Sequence, residues 1–460
     1  MKNLFSFLLA MSAFALSSES AELRVLSPDG RIAVVVSDEG GLRYRVDVDH
    51  QPLILSSRLG LEFANGLRLG PTAKIEKSEN TDYDGFWENK SGKRRAVRDK
   101  WNQLGVSFLE TGVVDRRLGV LVRVFDDGVA LRYDLPEESK LDSFVLYHEK
   151  TEFVFAGDYP CWAGEPSACA ETKYQETKVS AIPRCNADGA YRSTLPLVVQ
   201  TPSLCVAVAE SGVRDWADMF LTGTGATAVR VTLSSREDGR GCVASQTPCQ
   251  SPWRVLMIAR SAGGLVGSDL IATLASDHKP ALSTGIRMAS PSARNTVTLP
   301  FTRGLLGPVD YIQGCQTNGQ PVTKGTLARQ LAMPMICQSP HMGLSDNPAS
   351  PSNTVAGVEF VRGLPTAWDD TVVPSAELAR HIVVARRLDG RWWLAAINSD
   401  AALKIRVPLR FLEAGKWSLH GYSDVADAVV EKKQTVDASD VLELDLVPDG
   451  GYAATLTPVP

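Results

Sequence analysis

The stretch Leu121-Val122-Arg123-Val124-Phe125-Asp126-Asp127-Gly128-Val129-Ala130-Leu131-Arg132-Tyr133 reads as two strands folded back on each other. β-Branched and aromatic residues fill both runs, and Asp127-Gly128 sits where a hairpin turn belongs. Upstream, Leu42-Arg43-Tyr44-Arg45-Val46-Asp47-Val48 alternates apolar and polar with the period of two of a half-buried strand. It follows another apolar run at 32–36, which the turn Ser27-Pro28-Asp29-Gly30 introduces. Downstream, the same grammar recurs at 195–199, 204–209, 228–233 and 253–258. Short strands separated by turns predict a large antiparallel β-sandwich over residues 22–275.

Residues 276–365 change character. A polar junction leads to an expected strand at 296–299 and a helical stretch at 326–333, the order of a βα unit. From 366 to 460 strands return, at 381–387, 392–397, 404–409 and 442–446, with Asp389-Gly390 joining the first two as a hairpin. The fold class is therefore α+β and mainly β. In Trp392-Trp393, neighbours on a strand face opposite sides, so one ring is expected in the core and the other half-exposed.

Composition sets outer limits. Of 460 residues, 44% are hydrophobic and 22% charged, which excludes a disordered or fibrous chain. Lys and Arg number 48 against 53 Asp and Glu, so nothing points to nucleic acid. Lys2, the apolar run over 4–16 and the small residues Ser17 to Ala21 read as a secretory signal peptide at 1–20, too short to span a bilayer. No later run is transmembrane in character. A soluble, exported, periplasmic protein is expected, and its oligomeric state is left open. Eight cysteines (161, 169, 185, 205, 242, 249, 315 and 337) fit an oxidising compartment. Local pairs are expected first, Cys161–Cys169 and Cys242–Cys249.

Seven colinear stretches carry a resemblance: SPDGRIAVVV (27–36), SSRLGLEF (56–63), VRVFDDGVALRYDLP (122–136), AVAESGVRDWADMFL (207–221), NTVTLPFTRGLLGPVDY (295–311), FVRGLPTAWDDT (360–371) and ARRLDGRWWLAAIN (385–398). Together they resemble glycoside hydrolase family 97, the family of the bacterial starch-utilisation α-glucosidase. The resemblance implies a large N-terminal β-sandwich, a (β/α)8 barrel and a C-terminal antiparallel β domain. It also implies an oligosaccharide or polysaccharide as partner, α-glucosides or α-galactosides as substrates, and calcium at the active site. A complete barrel takes roughly 200–250 residues. The linking region 276–365 has room for two or three βα units, so it reads as a truncated remnant of the barrel's C-terminal part.

The resemblance places the general acid, a calcium-binding Glu and the base or nucleophile upstream of NTVTLPFTR. Here residues 282–294 (LSTGIRMASPSAR) contain no Asp or Glu, so no catalytic residue is identifiable. Glu210 matches the calcium ligand that the sandwich contributes; the plainer reading is an exposed strand-end acid. Asp310 and Tyr311, in GPVDY, match G-P-x-D-Y at a barrel strand end and are candidate sugar contacts. Trp368, followed by Asp369 and Asp370, matches W-D-[ED]-T and is a candidate stacking ring, or else a packing residue. The basic run from Lys90 to Lys100 reads as a solvated loop or an anionic-glycan contact. Tyr159 and Trp162 lie in a Pro/Gly-rich loop of the kind that stacks on sugars. Two functions remain open: an α-glycosidase whose activity is in doubt because its acid/base segment is absent, and a non-catalytic carbohydrate-binding or assembly protein.

Overall fold

The computed structural model describes residues 21–167, 172–184, 192–275, 292–308, 325–337, 339, 356–425 and 428–460, with the backbone of 312–313, 316–317, 320–321 and 343–344. The expected signal peptide lies outside the described residues. The hairpin that decides the fold forms: Arg116–Phe125 pairs antiparallel with Gly128–Leu135, Phe125 opposite Gly128. Its loop is Asp126-Asp127, so Gly128 opens the return strand. A Cβ there would lie 2.4 Å from the Leu256 carbonyl oxygen and 2.5 Å from Leu270 Cδ2. Close approach, rather than turn geometry, is what requires glycine at that position.

This hairpin sits in a ten-stranded antiparallel sheet. From one edge the strands run Gln175–Lys178, Pro160–Ala163, Leu197–Gln200, Cys205–Ser211, Trp253–Ala259, Gly128–Leu135, Arg116–Phe125, Ala96–Glu110 and Lys74–Glu88, with Cys249–Gln250 paired beside Gly128–Leu135. Alternation gives the sheet two apolar faces. Val120, Val122, Val129 and Leu131 pack on one side against three smaller sheets, including the four-stranded meander over 22–58. That is the sandwich. On the other side Phe125, Ala130, Val255 and Met257 meet the helices Ala262–Gly267, Leu270–Leu274 and Leu327–Cys337, and beyond them Ile382, Trp393 and Ala395.

The last body is a six-stranded antiparallel sheet, ordered Asp370–Glu377, His381–Leu388, Arg391–Asn398, Gly451–Pro458, Trp417–Val425 and Ala428–Val436. It packs over the pair Leu403–Pro408 and Val441–Leu446. Asp389 and Gly390, at φ 48° and 74°, form the two-residue turn expected of them. Trp392 and Trp393 do face opposite sides, but both are buried, at 2% and 6% exposure. The reason is that this sheet is covered on both faces.

The middle segment departs from expectation at 296–299. Residues Ala293–Thr298 form a helix and Leu299–Phe301 a 3-10 turn. Ser292 caps the helix by accepting the Asn295 N–H at 3.3 Å. Thr296, Thr298 and Thr302 turn their hydroxyls back onto the carbonyls of Ala293, Arg294 and Thr298 at 2.7–2.9 Å, which satisfies these β-branched residues within the turns. The helix at 326–333 is present as Leu327–Cys337. The backbone pair Ile312–Gln313 with Gly343–Leu344 runs parallel on either side of it, the order of one βα unit. The class is α+β, mainly β, with a sheet domain at each end and a short α/β segment between them.

Candidate functional site

Strand Trp253–Ala259 is apolar except for Arg254, whose side chain is wholly buried. Its Nε and one terminal nitrogen reach the Glu149 carboxylate at 2.8 and 2.5 Å, and the other terminal nitrogen reaches Glu210 at 2.9 Å. Glu149 also accepts from Thr151 Oγ1 at 2.8 Å, which meets the Tyr133 hydroxyl at 2.8 Å; that hydroxyl in turn receives the Gly60 N–H at 2.8 Å. One guanidinium thus serves two carboxylates inside the sandwich. Sequence reasoning singled out Glu210 and missed both partners, although an arginine inside an apolar strand is the signature of a buried ion pair.

Glu210 is therefore not an exposed strand-end acid; its side chain is 13% accessible. Its second oxygen accepts the Met219 N–H at 3.1 Å. Burial pushes its carboxyl up to about 7, because Arg254, which pulls the other way, is already shared with Glu149. Calcium takes six to eight oxygens, mostly carboxylates. Here both Glu210 oxygens are occupied, one of them by a cation, and among the described residues no three His, Cys, Asp or Glu side chains converge to hold a metal. The residues around Glu210 do not fit a calcium ion.

Trp368 is 3% exposed and packs edge-to-face on Trp393, centroids 5.3 Å apart. Its ring belongs to the apolar layer between the domains and offers solvent no stacking face. Asp369 and Asp370 beside it are ion-paired. Asp369 takes Arg95 Nε at 2.8 Å and the Asp389 N–H at 2.9 Å, and Arg94 lies 3.2 Å from Asp370. Asp310 and Tyr311 lie outside the described residues.

These pairs change the reading of the basic run. Arg94 also reaches the Gly267 carbonyl at 2.8 Å, Asp269 at 2.7 Å and the Thr371 carbonyl at 2.9 Å, while Lys93 donates to the Ser268 carbonyl. Burial lowers the Lys93 amine to about 8. Lys93, Arg94 and Arg95 are thus a clasp between the sandwich and the C-terminal sheet rather than a solvated loop. The cysteine expectation is also corrected. Cys242 and Cys249 are both free thiols, because Val243–Ser245 between them pairs with Phe144–Glu149, whereas Cys249–Gln250 pairs with Gly128–Leu135 in another sheet. Cys161 is a buried free thiol, and its expected partner Cys169 lies outside the described residues.

With this geometry in place, comparison with known proteins is informative. The N-terminal family profile described as Glycosyl-hydrolase 97 N-terminal matches residues 25–276, and the one described as Glycosyl-hydrolase 97 C-terminal, oligomerisation, matches 367–457. A probable retaining alpha-galactosidase of Streptomyces bingchenggensis is 31% identical over 163 residues, 35% of this chain and 26% of that protein. A retaining alpha-galactosidase of Bacteroides thetaiotaomicron is 28% identical over 187 residues, 36% of this chain and 28% of that protein. The matched part thus spans about a quarter of the length of these relatives. In fold, the chain superposes with a TM-score of 0.83 on a family 97 enzyme in complex with acarbose from Pseudoalteromonas sp. strain K8, at 18% identity, covering 95% of this chain and 100% of that one. A beta-arabinopyranosidase superposes with a TM-score of 0.78 at 16% identity, covering 94% and 100%. Two β domains bracketing a short α/β segment define a protein built on a carbohydrate-enzyme framework. The chain belongs to glycoside hydrolase family 97.

Proposed function

We propose that this is an exported, periplasmic family member directed at α-galactosides or α-glucosides, which recognises such sugars without hydrolysing them as the chain stands. The sugar class is supported by the two relatives, each named as a retaining alpha-galactosidase or a probable one. The observation that carries the non-catalytic reading is the disposition of the acids. Glycoside hydrolysis uses two carboxyl groups, about 5–5.5 Å apart for retention or roughly 6.5–9.5 Å for inversion, one poised to give a proton and the other to attack or activate water. Glu149 and Glu210 are both held by Arg254, Asp369 by Arg95, and Asp370 by Arg94. A carboxylate whose oxygens are taken up by a guanidinium is not a free nucleophile, and Glu210, whose carboxyl burial pushes up to about 7, is turned into the sandwich toward Arg254 and the Met219 N–H. The segment where barrel strands would present further acids is short, and a helix stands at Ala293–Thr298 where a strand is expected.

The test pairs two assays on the secreted chain: turnover of p-nitrophenyl α-galactoside and α-glucoside, and calorimetric binding of melibiose and maltotriose. Binding without turnover is expected. Turnover, or failure to bind either sugar, overturns the proposal. A second reading, a complete α-glycosidase, would be favoured by a transcript carrying about 180 further residues between Arg287 and Asn295, enough to restore a barrel of about 250 residues. N-terminal sequencing of periplasmic material should begin close to Ala21, and retention of residues 1–20 would contradict export.

A further inference from the structure

A cleft of about 400 Å3 opens where the outer strands of the ten-stranded sheet meet the C-terminal domain. Its floor is set by register. Trp162 lies opposite Glu176 on one side and Val198 on the other, so these three share a face, and Gln200, two residues past Val198, continues it. One wall is the turn holding Ser203, another is Arg260 and Ser261 just past strand Trp253–Ala259, and the roof is 376–378 from the C-terminal sheet. Three parts of the chain, distant in sequence, thus converge on one concavity. Its size falls at the lower end of the roughly 300–1,000 Å3 of small-molecule sites.

The chemistry of the lining selects a ligand class. Glu176, 3.8 Å from Arg294, and Glu377, bound to Arg380 at 2.8 Å, each keep a further carboxylate oxygen as acceptor, and Gln200 and Ser203 offer groups that both donate and accept. Among the described residues, the Gln200 amide and the Ser203 hydroxyl have no hydrogen-bond partner within the protein. The one cation, Arg260, is already bound to Asp49. With both carboxylates and the guanidinium each paired to an opposite charge, the lining favours a neutral ligand over an ion of either sign, and paired hydroxyls on adjacent carbons suit a carboxylate and an amide. Trp162 is 5% exposed, so it shapes the floor without presenting a full stacking face, and hydrogen bonds carry the affinity. Glu210 stands in the same strand as Cys205, which lines the cleft, but five residues along it, so the cleft is separate from the buried Glu149–Arg254–Glu210 cluster.

We propose that this cleft is a binding site for a short neutral oligosaccharide, held between the sandwich and the C-terminal domain. The proposal rests on the family reading for its choice of sugar. The experiment titrates the whole exported chain with melibiose, maltotriose and the anionic trigalacturonate by ligand-observed NMR, beside the variants Gln200→Ala and Glu377→Gln. Both residues are exposed, so the melting temperature should stay unchanged. A neutral sugar should bind with Kd on the order of 1 mM, at least tenfold more tightly than trigalacturonate, and each variant should weaken it about fivefold or more. Unchanged binding in both variants would overturn the cleft while leaving sugar recognition standing. Tighter binding of trigalacturonate would overturn the ligand class, and absence of all neutral-sugar binding would overturn both this site and the function proposed above.

Discussion

Neutralising Glu210 should stabilise the protein at alkaline pH, contrary to the usual result of breaking an ion pair. The ordinary glutamate value is 4.5, and burial raises Glu210 to about 7 against the opposing pull of Arg254. The folded chain therefore holds this proton more tightly than the unfolded one. The contribution to stability is complete below about 4.5, falls as pH climbs, and is gone above about 7. That interval corresponds to about 3 kcal/mol, or roughly 6–12 °C in melting temperature for a domain of this size. Glu210→Gln mimics the protonated form and keeps an acceptor for the Met219 N–H, while Arg254 retains Glu149. Scanning calorimetry at pH 5 and pH 8 should find the two proteins nearly equal at pH 5 and the variant melting higher at pH 8. A variant that melts lower at pH 8 than the native chain would show that Glu210 is an ionised partner of Arg254 and refute the reasoning.

Other consequences follow from the same contacts. Arg94→Ala removes four polar contacts, two of which, to Asp370 and the Thr371 carbonyl, cross the domain junction, and should cost about 2–4 kcal/mol; calorimetry should split the C-terminal domain's transition from that of the sandwich, and an unchanged single transition would contradict the clasp. Gly128→Ala places a Cβ against the Leu256 carbonyl and should destabilise by about 1–3 kcal/mol; a denaturant midpoint equal to that of the native chain would show that the sheet yields there. Cys242 and Cys249 should be recovered as free, alkylatable thiols in a digest prepared without reductant, whereas a linked peptide pair would contradict their placement in separate sheets.

The β framework was legible because its signals are local. Alternation over 42–48, the turn signal at 126–128, whose loop proves to be Asp126-Asp127, the Asp-Gly turn at 389–390 and the apolar run at 253–258 each specify a strand or hairpin without knowledge of neighbours. Residues 296–299 were misleading for the same reason. Thr-Val-Thr-Leu has strand composition, but what decides it is the Ser292 cap and hydroxyls that close onto the preceding turn. The clasp at 93–95 was invisible because its partners, Asp269, Asp369 and Asp370, lie more than 170 positions away. Glu210 was found through family likeness, yet its chemistry depends on Arg254 and Glu149, which only the sheet register and the packing beneath it bring together.

The most direct test of the central claim, a family 97 framework without its hydrolytic pair, is a turnover measurement. Enzymes supply about 8–23 kcal/mol of barrier lowering, so the non-catalytic chain proposed above should leave p-nitrophenyl α-galactoside and α-glucoside uncleaved above the blank, even after prolonged incubation with calcium. Release of nitrophenol that disappears on substituting a single carboxylate of this chain would contradict the account.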